Sequence, residues 1–324
     1  MDPRRSFGAA LTIASLALSA FGCSRDLPTS TAGSLYPVSG GPAQPPAGGA
    51  EGPRRAVAIL VPRAIASIRH FPELGILDGG GIDGDAQSTY FRTTETNREF
   101  RRGFAEFAVP DFSGGFLSAK LVLRETRASI AAPVPPDRHE LSSYSDVDLN
   151  VTTRDFDRPT SPLAAFETDP NLDPQTFEFD VSSLVAQSQR AGLGFRVKLE
   201  DDPGFTGFVP RGTAFSGSST PPGVTLEVTT TLPAAIDHLE DVIQRMHLSR
   251  SLEARLLAPL EEAARVLRDE NPNNDGAACG QLGAFLRELD AAARSGVVDP
   301  QAVSDLEQLA LSIRSGAGCP ESPA

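Results

Sequence analysis

The chain has 324 residues, enough for about two folded domains, and its 42 acidic and 29 basic residues give a formal net charge of −13. A surface this acidic repels a phosphate backbone, which excludes nucleic acid as a partner and makes an acidic polysaccharide a poor one. The sequence has no tryptophan and only three tyrosines, a composition that weakens the case for a sugar ligand.

The first 22 residues have the parts of a secretory signal. Arg4 and Arg5 precede an uncharged apolar run over residues 7–21, and Gly22 and Cys23 follow it. The run has about 15 residues, fewer than the ~20 that a spanning helix needs, so we expect a cleaved leader. Its end resembles the lipobox of bacterial lipoproteins, in which the cysteine thiol is diacylated. The resemblance implies an exported protein that Cys23 anchors through its lipid to the bacterial envelope, at the outer membrane or cell surface. Ordinary secretion with a free Cys23 is the alternative.

Residues 23–54 are rich in proline, glycine and serine and poor in large apolar side chains. A segment of this composition cannot bury enough apolar surface to fold. We therefore expect a disordered tether that holds the following domain away from a membrane.

Short apolar segments with a period of two follow over residues 55–232. Turn-forming clusters of Pro, Gly, Ser and Asp separate them, and one stretch, residues 181–189, has the period of a helix. Many short strands with frequent turns indicate an all-β antiparallel sandwich. The clearest predicted strands cover residues 104–109, 117–123, 146–151, 177–181, 195–199 and 224–228.

Five segments of this region are similar to one known type of module. They resemble the packing motifs of DNRLRE-type β-sandwich modules, such as R-x-F-x-x-F-D, S-A-x-L-x-L and D-V-T-x-L-V. The resemblance covers about residues 60–230 and implies a jelly-roll-like sandwich of a kind often found as a carbohydrate-binding module on secreted bacterial proteins. The segments are residues 101–109, 117–123, 179–185, 193–201 and 222–228.

From residue 233 the apolar period becomes that of a helix. Ser249 caps the second of four predicted helices, and Asp299 followed by Pro300 opens the fourth. We expect a separate small four-helix bundle over residues 233–319 and a tail over residues 320–324. The stretch A-A-C-G-Q-L-G-A-F at residues 277–285 resembles the FIMAH domain, a helical bundle at the ends of secreted multidomain proteins. That resemblance implies an architecture and no particular chemistry.

Two cysteines remain once Cys23 carries lipid. In an oxidising compartment we expect Cys279 and Cys319 to form a disulfide. Cys279 opens the third predicted helix and Cys319 follows the fourth, so antiparallel packing brings them to the same end of the bundle. The alternative is a pair of buried thiols, which an oxidising compartment disfavours.

Residues 79–84 read G-G-G-I-D-G, which satisfies the dinucleotide-binding pattern G-x-G-x-x-G. That site needs a helix after the loop, whereas residues 86–91 have the pattern of a strand, so we reject a nucleotide. Asp78, Asp83 and Asp85 supply oxygen ligands that suit a structural Ca²⁺ ion, and an ordinary acidic turn is the alternative. No other cofactor is predicted.

None of the four histidines has zinc-ligand spacing, and no G-x-S-x-G nucleophile elbow occurs. We therefore expect a protein that is not an enzyme. The resemblance implies carbohydrate binding through the sandwich, and a structural or adhesive surface protein that acts through protein–protein contacts is the alternative. The aromatic residues that we expect to contact a glycan are Tyr90, Tyr144, Phe205 and Phe208.

Overall fold

Twelve β-strands and five α-helices make up the part of the chain that the computed structural model describes. The described residues are 54–320 except 82–83, 95–96, 113, 127–135, 146, 170, 203, 205–210, 218, 220–221, 270 and 272–273, and the side chains of 91–94, 275 and 301 are also left out. The predicted leader and most of the predicted tether, with Cys23, lie outside these residues.

The strands and helices are largely separated along the chain. Only one of the five α-helices precedes the last strand, and the other four follow that strand. The strands are β1 (Arg55–Leu60), β2 (Ala64–Phe71), β3 (Ile76–Gly79), β4 (Asp85–Thr94), β5 (Asn97–Ala108), β6 (Phe116–Arg124), β7 (Asp137–Tyr144), β8 (Ser161–Thr168), β9 (Thr176–Asp180), β10 (Gly192–Leu199), β11 (Arg211–Ser216) and β12 (Val224–Thr231). The helices are α1 (Ser182–Gln187), α2 (Leu232–Arg245), α3 (Arg250–Leu267), α4 (Asp275–Arg294) and α5 (Pro300–Gly316).

The strands form two antiparallel sheets, which confirms the predicted sandwich. The small sheet has the order β1-β12-β6-β9. The large sheet has the order β11-β4-β5-β10-β7-β8, with β2 paired to β5 and β3 paired to β2. An isolated bridge between Thr126, just after β6, and Ala214 of β11 joins the two sheets at one corner.

Strand alternation decides which side chains fill the space between the sheets. In β6 Leu121 is fully buried while its neighbour Lys120 lies toward solvent, and Leu121 pairs with the equally buried Leu226 of β12. Phe107 and Phe195 enter the same apolar cluster from the large sheet, with their ring centroids 5.9 Å apart. Each such fully buried side chain contributes about 1.5–3 kcal/mol to the free energy of unfolding.

The helical region follows the sandwich without a linker. β12 ends at Thr231 and α2 begins at Leu232, with a proline in its first turn, where the missing N–H has no intrahelical partner to lose. Pro300 opens α5, as predicted, and Ser249 occupies the N-cap position of α3, although its side chain makes no capping hydrogen bond. Apolar residues of α2–α5 belong to the same buried cluster as the sandwich core, so the four predicted helices are confirmed and their core is continuous with the sandwich. Among the described residues no helix combines the length and apolar character needed to span a membrane.

The predicted disulfide is also confirmed. Cys279 in α4 and Cys319 after α5 are bonded, with their Cα atoms 5.5 Å apart. Arg314 adds to this connection between α4 and the residues after α5, because its guanidinium donates hydrogen bonds to the backbone oxygens of Cys279 and Pro320 at 3.1 Å each. The bond closes a loop of 40 residues. A cross-link of that span is worth about 4 kcal/mol on the chain-entropy model.

Helix α5 covers the outer edge of β1. The backbone N–H of Val57 donates to the hydroxyl oxygen of Ser312 at 2.7 Å, and Gly316 approaches the backbone oxygen of Arg55 so closely that a Cβ atom would overlap it. An uncovered edge strand is a template for pairing with another chain. The C-terminal helix therefore covers backbone that would otherwise be open to such pairing.

The prediction of a strand over residues 146–151 is wrong. The described part of this segment forms only an isolated bridge between Val151 and Gly81, and Leu149 has a φ of 58°, which extended backbone does not adopt. The segment instead crosses the outer face of the large sheet, where Val151 and Phe156 pack on Phe104. Its apolar residues are buried by tertiary packing rather than by strand pairing. The short helix predicted at residues 181–189 is confirmed as α1.

Candidate ligand-binding face

The two tyrosines predicted to contact a glycan are both buried. Tyr90 is fully buried, and its ring centroid lies 4.9 Å from that of Phe100. Tyr144 is 5% exposed, and its hydroxyl donates to Glu106 Oε1 at 3.0 Å. Neither ring offers a face to a ligand in solution. Phe205 and Phe208, the other two predicted contacts, lie outside the described residues.

Two of the three predicted calcium ligands, Asp78 and Asp85, lie in the described part of the chain. Asp78 of β3 forms an ion pair with Arg69 and accepts a hydrogen bond from the Gly79 N–H at 2.8 Å. Asp85 begins β4, and Asp83 lies outside the described residues. Among the residues that are described, no group of three or more His, Cys, Asp or Glu side chains is arranged to hold a metal ion.

The glycines before β4 serve a close approach of backbone. Gly79 and Gly80 have φ values of 104° and 98°, and a Cβ atom on them would lie 2.5 Å from the oxygens of Ser67 and Val151 respectively. Only glycine tolerates this geometry without strain. A strand rather than a helix follows the loop, as the sequence predicts, so the G-x-G-x-x-G string lacks the helix N-terminus that a pyrophosphate requires.

A buried histidine lies within hydrogen-bond distance of two hydroxyl groups, as a histidine that activates a hydroxyl nucleophile would. His139 Nδ1 lies 2.9 Å from Ser88 Oγ, and its Nε2 lies 2.9 Å from Thr168 Oγ1. All three residues are buried, at 2% exposure or less, so no substrate reaches them from solvent. Burial, reinforced by the positive charge of Arg211, lowers the pKa of His139 to about 3. The neutral ring therefore satisfies hydroxyl groups inside the core.

Residues 147–160 cover the outer face of the large sheet around Ile68, Phe104 and Tyr144. Beneath this segment the Glu106 carboxylate is fully buried and accepts hydrogen bonds from the Tyr144 hydroxyl at 3.0 Å and the Asn150 N–H at 3.1 Å. Burial raises the pKa of Glu106, while the hydrogen bond from Tyr144 opposes that rise. The bond from Asn150 ties the segment to the sheet, and the bond from Tyr144 links β7 to β5 beneath it.

Arg102 of β5 is the second anchor of this segment. Its guanidinium lies 3.7 Å from the ring centroid of Phe156, donates to the Phe156 backbone oxygen at 2.7 Å and pairs with Asp202 Oδ2 at 2.6 Å. Charge-assisted bonds of this kind are stronger than neutral ones. This part of the large sheet is therefore occupied by the protein's own chain.

The outer face of the small sheet, in contrast, forms an open shallow groove of about 530 Å³, which we call the outer groove. Strand alternation supplies its polar lining, because every second side chain of β6, β9 and β12 lies on this face. It is lined by Val57, Ser118, Ala119, Lys120, Glu178, Phe179, Asp180, Ser182, Glu227 and Thr229.

Lys120 lies between two carboxylates of the outer groove. Its ammonium nitrogen is 3.1 Å from Glu178 Oε1 and 3.2 Å from Glu227 Oε2, and the other oxygen of Glu227 is 3.2 Å from the guanidinium of Arg124. The hydrogen bonds that Lys120 donates to Glu178 and then to Glu227 raise the pKa of its ammonium group. Lys120 therefore stays charged at neutral pH and still exposes 42% of its side chain.

Asp180 is a second fixed charge at the end of β9. Its Oδ1 accepts hydrogen bonds from the Ser182 hydroxyl at 2.6 Å and the Ser182 N–H at 2.9 Å, at the start of α1. These bonds lower the pKa of Asp180, so the carboxylate is ionised at neutral pH. The outer groove therefore contains a cationic hydrogen-bond donor, anionic acceptors and the neutral hydroxyl groups of Ser118 and Thr229, all on one β-sheet.

Sequence alone did not predict these residues as ligand contacts, because most of them lack the aromatic ring that is typical of a sugar contact. A usable signal was present, since Lys120 is one of only two lysines in the chain and sits at an outward position of a predicted strand. Its partners come from β9 and β12, which are far apart in sequence, and only the strand order brings Glu178 and Glu227 to either side of it.

The chain matches no known protein-family model and no curated protein.

Proposed function

We propose that this protein is a non-catalytic cell-surface lipoprotein that binds carbohydrate through the outer groove. Cys23 supplies the lipid anchor, and residues 24–54 hold the folded part away from the envelope. The two-sheet fold followed by a helical region is consistent with a DNRLRE-like sandwich and a FIMAH-like bundle. In this proposal the helical region supports the sandwich and the small sheet carries the ligand.

The observation that carries the proposal is the open groove and the charged side chains that it contains. A sugar hydroxyl both donates and accepts, and the outer groove offers the Lys120 ammonium as donor and the Glu178 and Glu227 carboxylates as acceptors. These groups hold one another in place, so little side-chain entropy is lost when a ligand binds. A hydrogen bond to a charged group is worth about 1.5–3 kcal/mol.

Recognition in the outer groove is expected to be polar rather than aromatic. Phe179 lines the groove, but its ring packs inward, with its centroid 5.6 Å from that of Phe166 in the core. Without a ring to stack on a pyranose, the affinity rests on a few hydrogen bonds. We expect a Kd near the millimolar range, about −4 kcal/mol, for a short oligosaccharide.

The two lysines of the chain give a matched test. We would measure binding of the full-length protein to a panel of neutral oligosaccharides and insoluble polysaccharides, with Lys120→Gln and Lys198→Gln as the variants. Lys198 lies on the large sheet, 2.8 Å from Glu140, so its replacement removes the same charge and a similar ion pair elsewhere. Lys120→Gln should weaken binding by about tenfold to a hundredfold. Lys198→Gln should leave it unchanged.

Two results would count against carbohydrate binding. One is the absence of saturable binding across the panel, and the other is an equal loss in both variants. The second candidate function, adhesion through protein–protein contacts, is favoured by exposed apolar side chains of the same sheet: Val57 at 37%, Ile59 at 44% and Leu117 at 37% exposure. In that case Ile59→Ser, rather than Lys120→Gln, should abolish capture of a partner from envelope extracts.

A further inference from the structure

The segment that crosses the large sheet contains an acceptor signal for N-linked glycans. Residues 150–152 read N-V-T, which satisfies the pattern N-x-S/T in which x is not proline. No other asparagine of the chain is followed by serine or threonine two residues later. Because so short a pattern also occurs by chance, the structural context of Asn150 decides whether it can be used.

The structure places Asn150 at an exposed bend rather than in a strand. Leu149 has a φ of 58°, which is rare for a bulky residue, and such strained positions cluster at functional sites. Asn150 itself is exposed, and its side-chain amide makes no hydrogen bond to any residue that the structure describes. The amide nitrogen therefore lies open to solvent, where a bulky glycan is accommodated.

Bonds on both sides of this amide hold the bend. The Asn150 backbone N–H donates to Glu106 Oε2 and to Asp148 Oδ1, at 3.1 Å each. The next residue, Val151, is buried, and its backbone oxygen accepts a hydrogen bond from the Gly81 N–H at 2.7 Å. The folded chain thus keeps this backbone against the sheet and leaves the carboxamide of Asn150 on the surface.

The third residue of the signal determines when the transfer takes place. The pattern requires the hydroxyl of Thr152, and in the folded chain that hydroxyl donates to Asp155 Oδ2 at 3.1 Å. The Thr152 N–H donates to the same oxygen at 2.7 Å. The hydroxyl is therefore available only before this turn forms, while the chain is being exported.

We propose that Asn150 is a site of N-linked glycosylation in the exported protein. Its Nδ2 attacks the anomeric carbon of an oligosaccharide carried on a polyprenyl pyrophosphate, and a new C–N bond forms. The bond between that carbon and the pyrophosphate oxygen breaks, and the lipid pyrophosphate leaves with the electron pair. Nδ2 gives up one proton. This site depends on the proposed export and not on carbohydrate binding in the outer groove, which lies on the opposite sheet.

Peptide mapping by mass spectrometry tests the site. We would purify the full-length protein from the envelope of the cells that produce it and fragment its peptides. The peptide that contains Asn150 should carry the mass of an oligosaccharide, and fragmentation should assign that mass to Asn150. Asn171 is also exposed, but it is followed by Leu172 and Asp173, so it should be unmodified in the same map.

Two substitutions of Thr152 separate the signal from mere exposure. Thr152→Ser keeps the hydroxyl and should retain the glycan, whereas Thr152→Val keeps the shape of the side chain, removes the hydroxyl and should abolish the glycan. Thr152→Val also removes a bond to Asp155 and loosens the turn. A looser acceptor is easier to modify, so loss of the glycan in this variant does not come from misfolding.

Three results would overturn the proposal. They are an unmodified Asn150 in the wild-type protein, a glycan that persists in Thr152→Val, and an oligosaccharide that maps to a serine or threonine instead. Asn150→Gln removes the acceptor on the large sheet and should leave the binding of neutral oligosaccharides in the outer groove unchanged. The mass map and the binding panel therefore record failure of this site and failure of the proposed function separately.

Discussion

Acidification should destabilise this protein through two buried histidines. His139 is held between two hydroxyls in the sandwich core, and burial lowers its pKa to about 3. His238 of α2 is 8% exposed, packs edge-on against Phe112 at 5.3 Å between ring centroids, and has a pKa that burial lowers to about 4. For His238 the nearby Asp241 opposes the shift and Arg245 adds to it.

The sign and size of the effect follow from linkage. Above pH 6.5 both histidines are neutral in the folded and unfolded chains, so the full stability is present. Between pH 6.5 and the folded values of about 3 and 4, the unfolded chain binds protons that the folded chain does not, and the free energy of unfolding falls. From pH 7.5 to pH 4.5 each histidine should remove about 2.5 kcal/mol, or about 5 kcal/mol together.

Denaturant unfolding of wild type and His139→Gln at pH 7.5 and pH 4.5 isolates one of these contributions. Other groups also titrate in this range, since burial raises the pKa of Glu106 and Glu240, and the difference between the two proteins cancels them. At pH 7.5 the variant should be less stable, because it loses core hydrogen bonds. At pH 4.5 its deficit should shrink by about 2.5 kcal/mol.

Parallel pH curves for wild type and His139→Gln would refute the reasoning, because they would mean that the folded chain takes up the proton as readily as the unfolded one. His139 would then have to be open to solvent. The exposed His247, whose φ of 51° asparagine tolerates, supplies His247→Asn as a control for the loss of a histidine as such.

Four further changes test the packing of the helical region and the covered part of the large sheet. Replacing Cys279 and Cys319 by serine should lower the free energy of unfolding by about 4 kcal/mol, and a reducing agent should have the same effect on wild type alone in thermal scans. Gly316→Ala should cost about 1–3 kcal/mol and speed hydrogen exchange at the Val57 amide, because the new Cβ overlaps the Arg55 oxygen. Gly280→Ala in α4, where a Cβ atom meets nothing within 4 Å, should instead raise the free energy of unfolding by about 1 kcal/mol. A lower free energy of unfolding in this variant would contradict the open space seen at Gly280. Tyr144→Phe removes a donor from the buried Glu106 and should cost about 1–3 kcal/mol by urea unfolding, whereas no change would mean that water replaces the hydroxyl.

Local patterns in the sequence predicted the architecture well. The period-two segments around Phe107, Leu121 and Phe195 became core strands, because a side chain's face in a strand depends only on its position along that strand. The 3.6-residue period, Ser249 at the N-cap position and Pro300 likewise marked α2–α5, because these signals depend on residues that are close in the chain. Cysteine count and helix polarity together predicted the disulfide.

The same local patterns wrongly predicted a strand at residues 146–151. They also did not predict several strands that the structure contains, and they could not assign any strand to one of the two sheets. A β-like run can be buried by crossing a sheet as well as by pairing within it, and the choice here depends on Glu106 and Phe104, about 40 residues earlier in the chain. Tyr90 and Tyr144 illustrate the same limit. Residue type made them plausible sugar contacts, and the fold buried both.

Sequence alone was sufficient to predict the strand and helix periods, the turn chemistry, the acidic charge and the cysteine pairing, because each of these depends on neighbours in the chain or on simple counts. Which face stays open depends instead on the tertiary fold. Long-range packing placed residues 147–160 over the large sheet and α5 over the edge of β1, while β9 and β12 brought Glu178 and Glu227 to Lys120. The outer groove exists because strand order joins distant segments, and no local rule of sequence specifies that order.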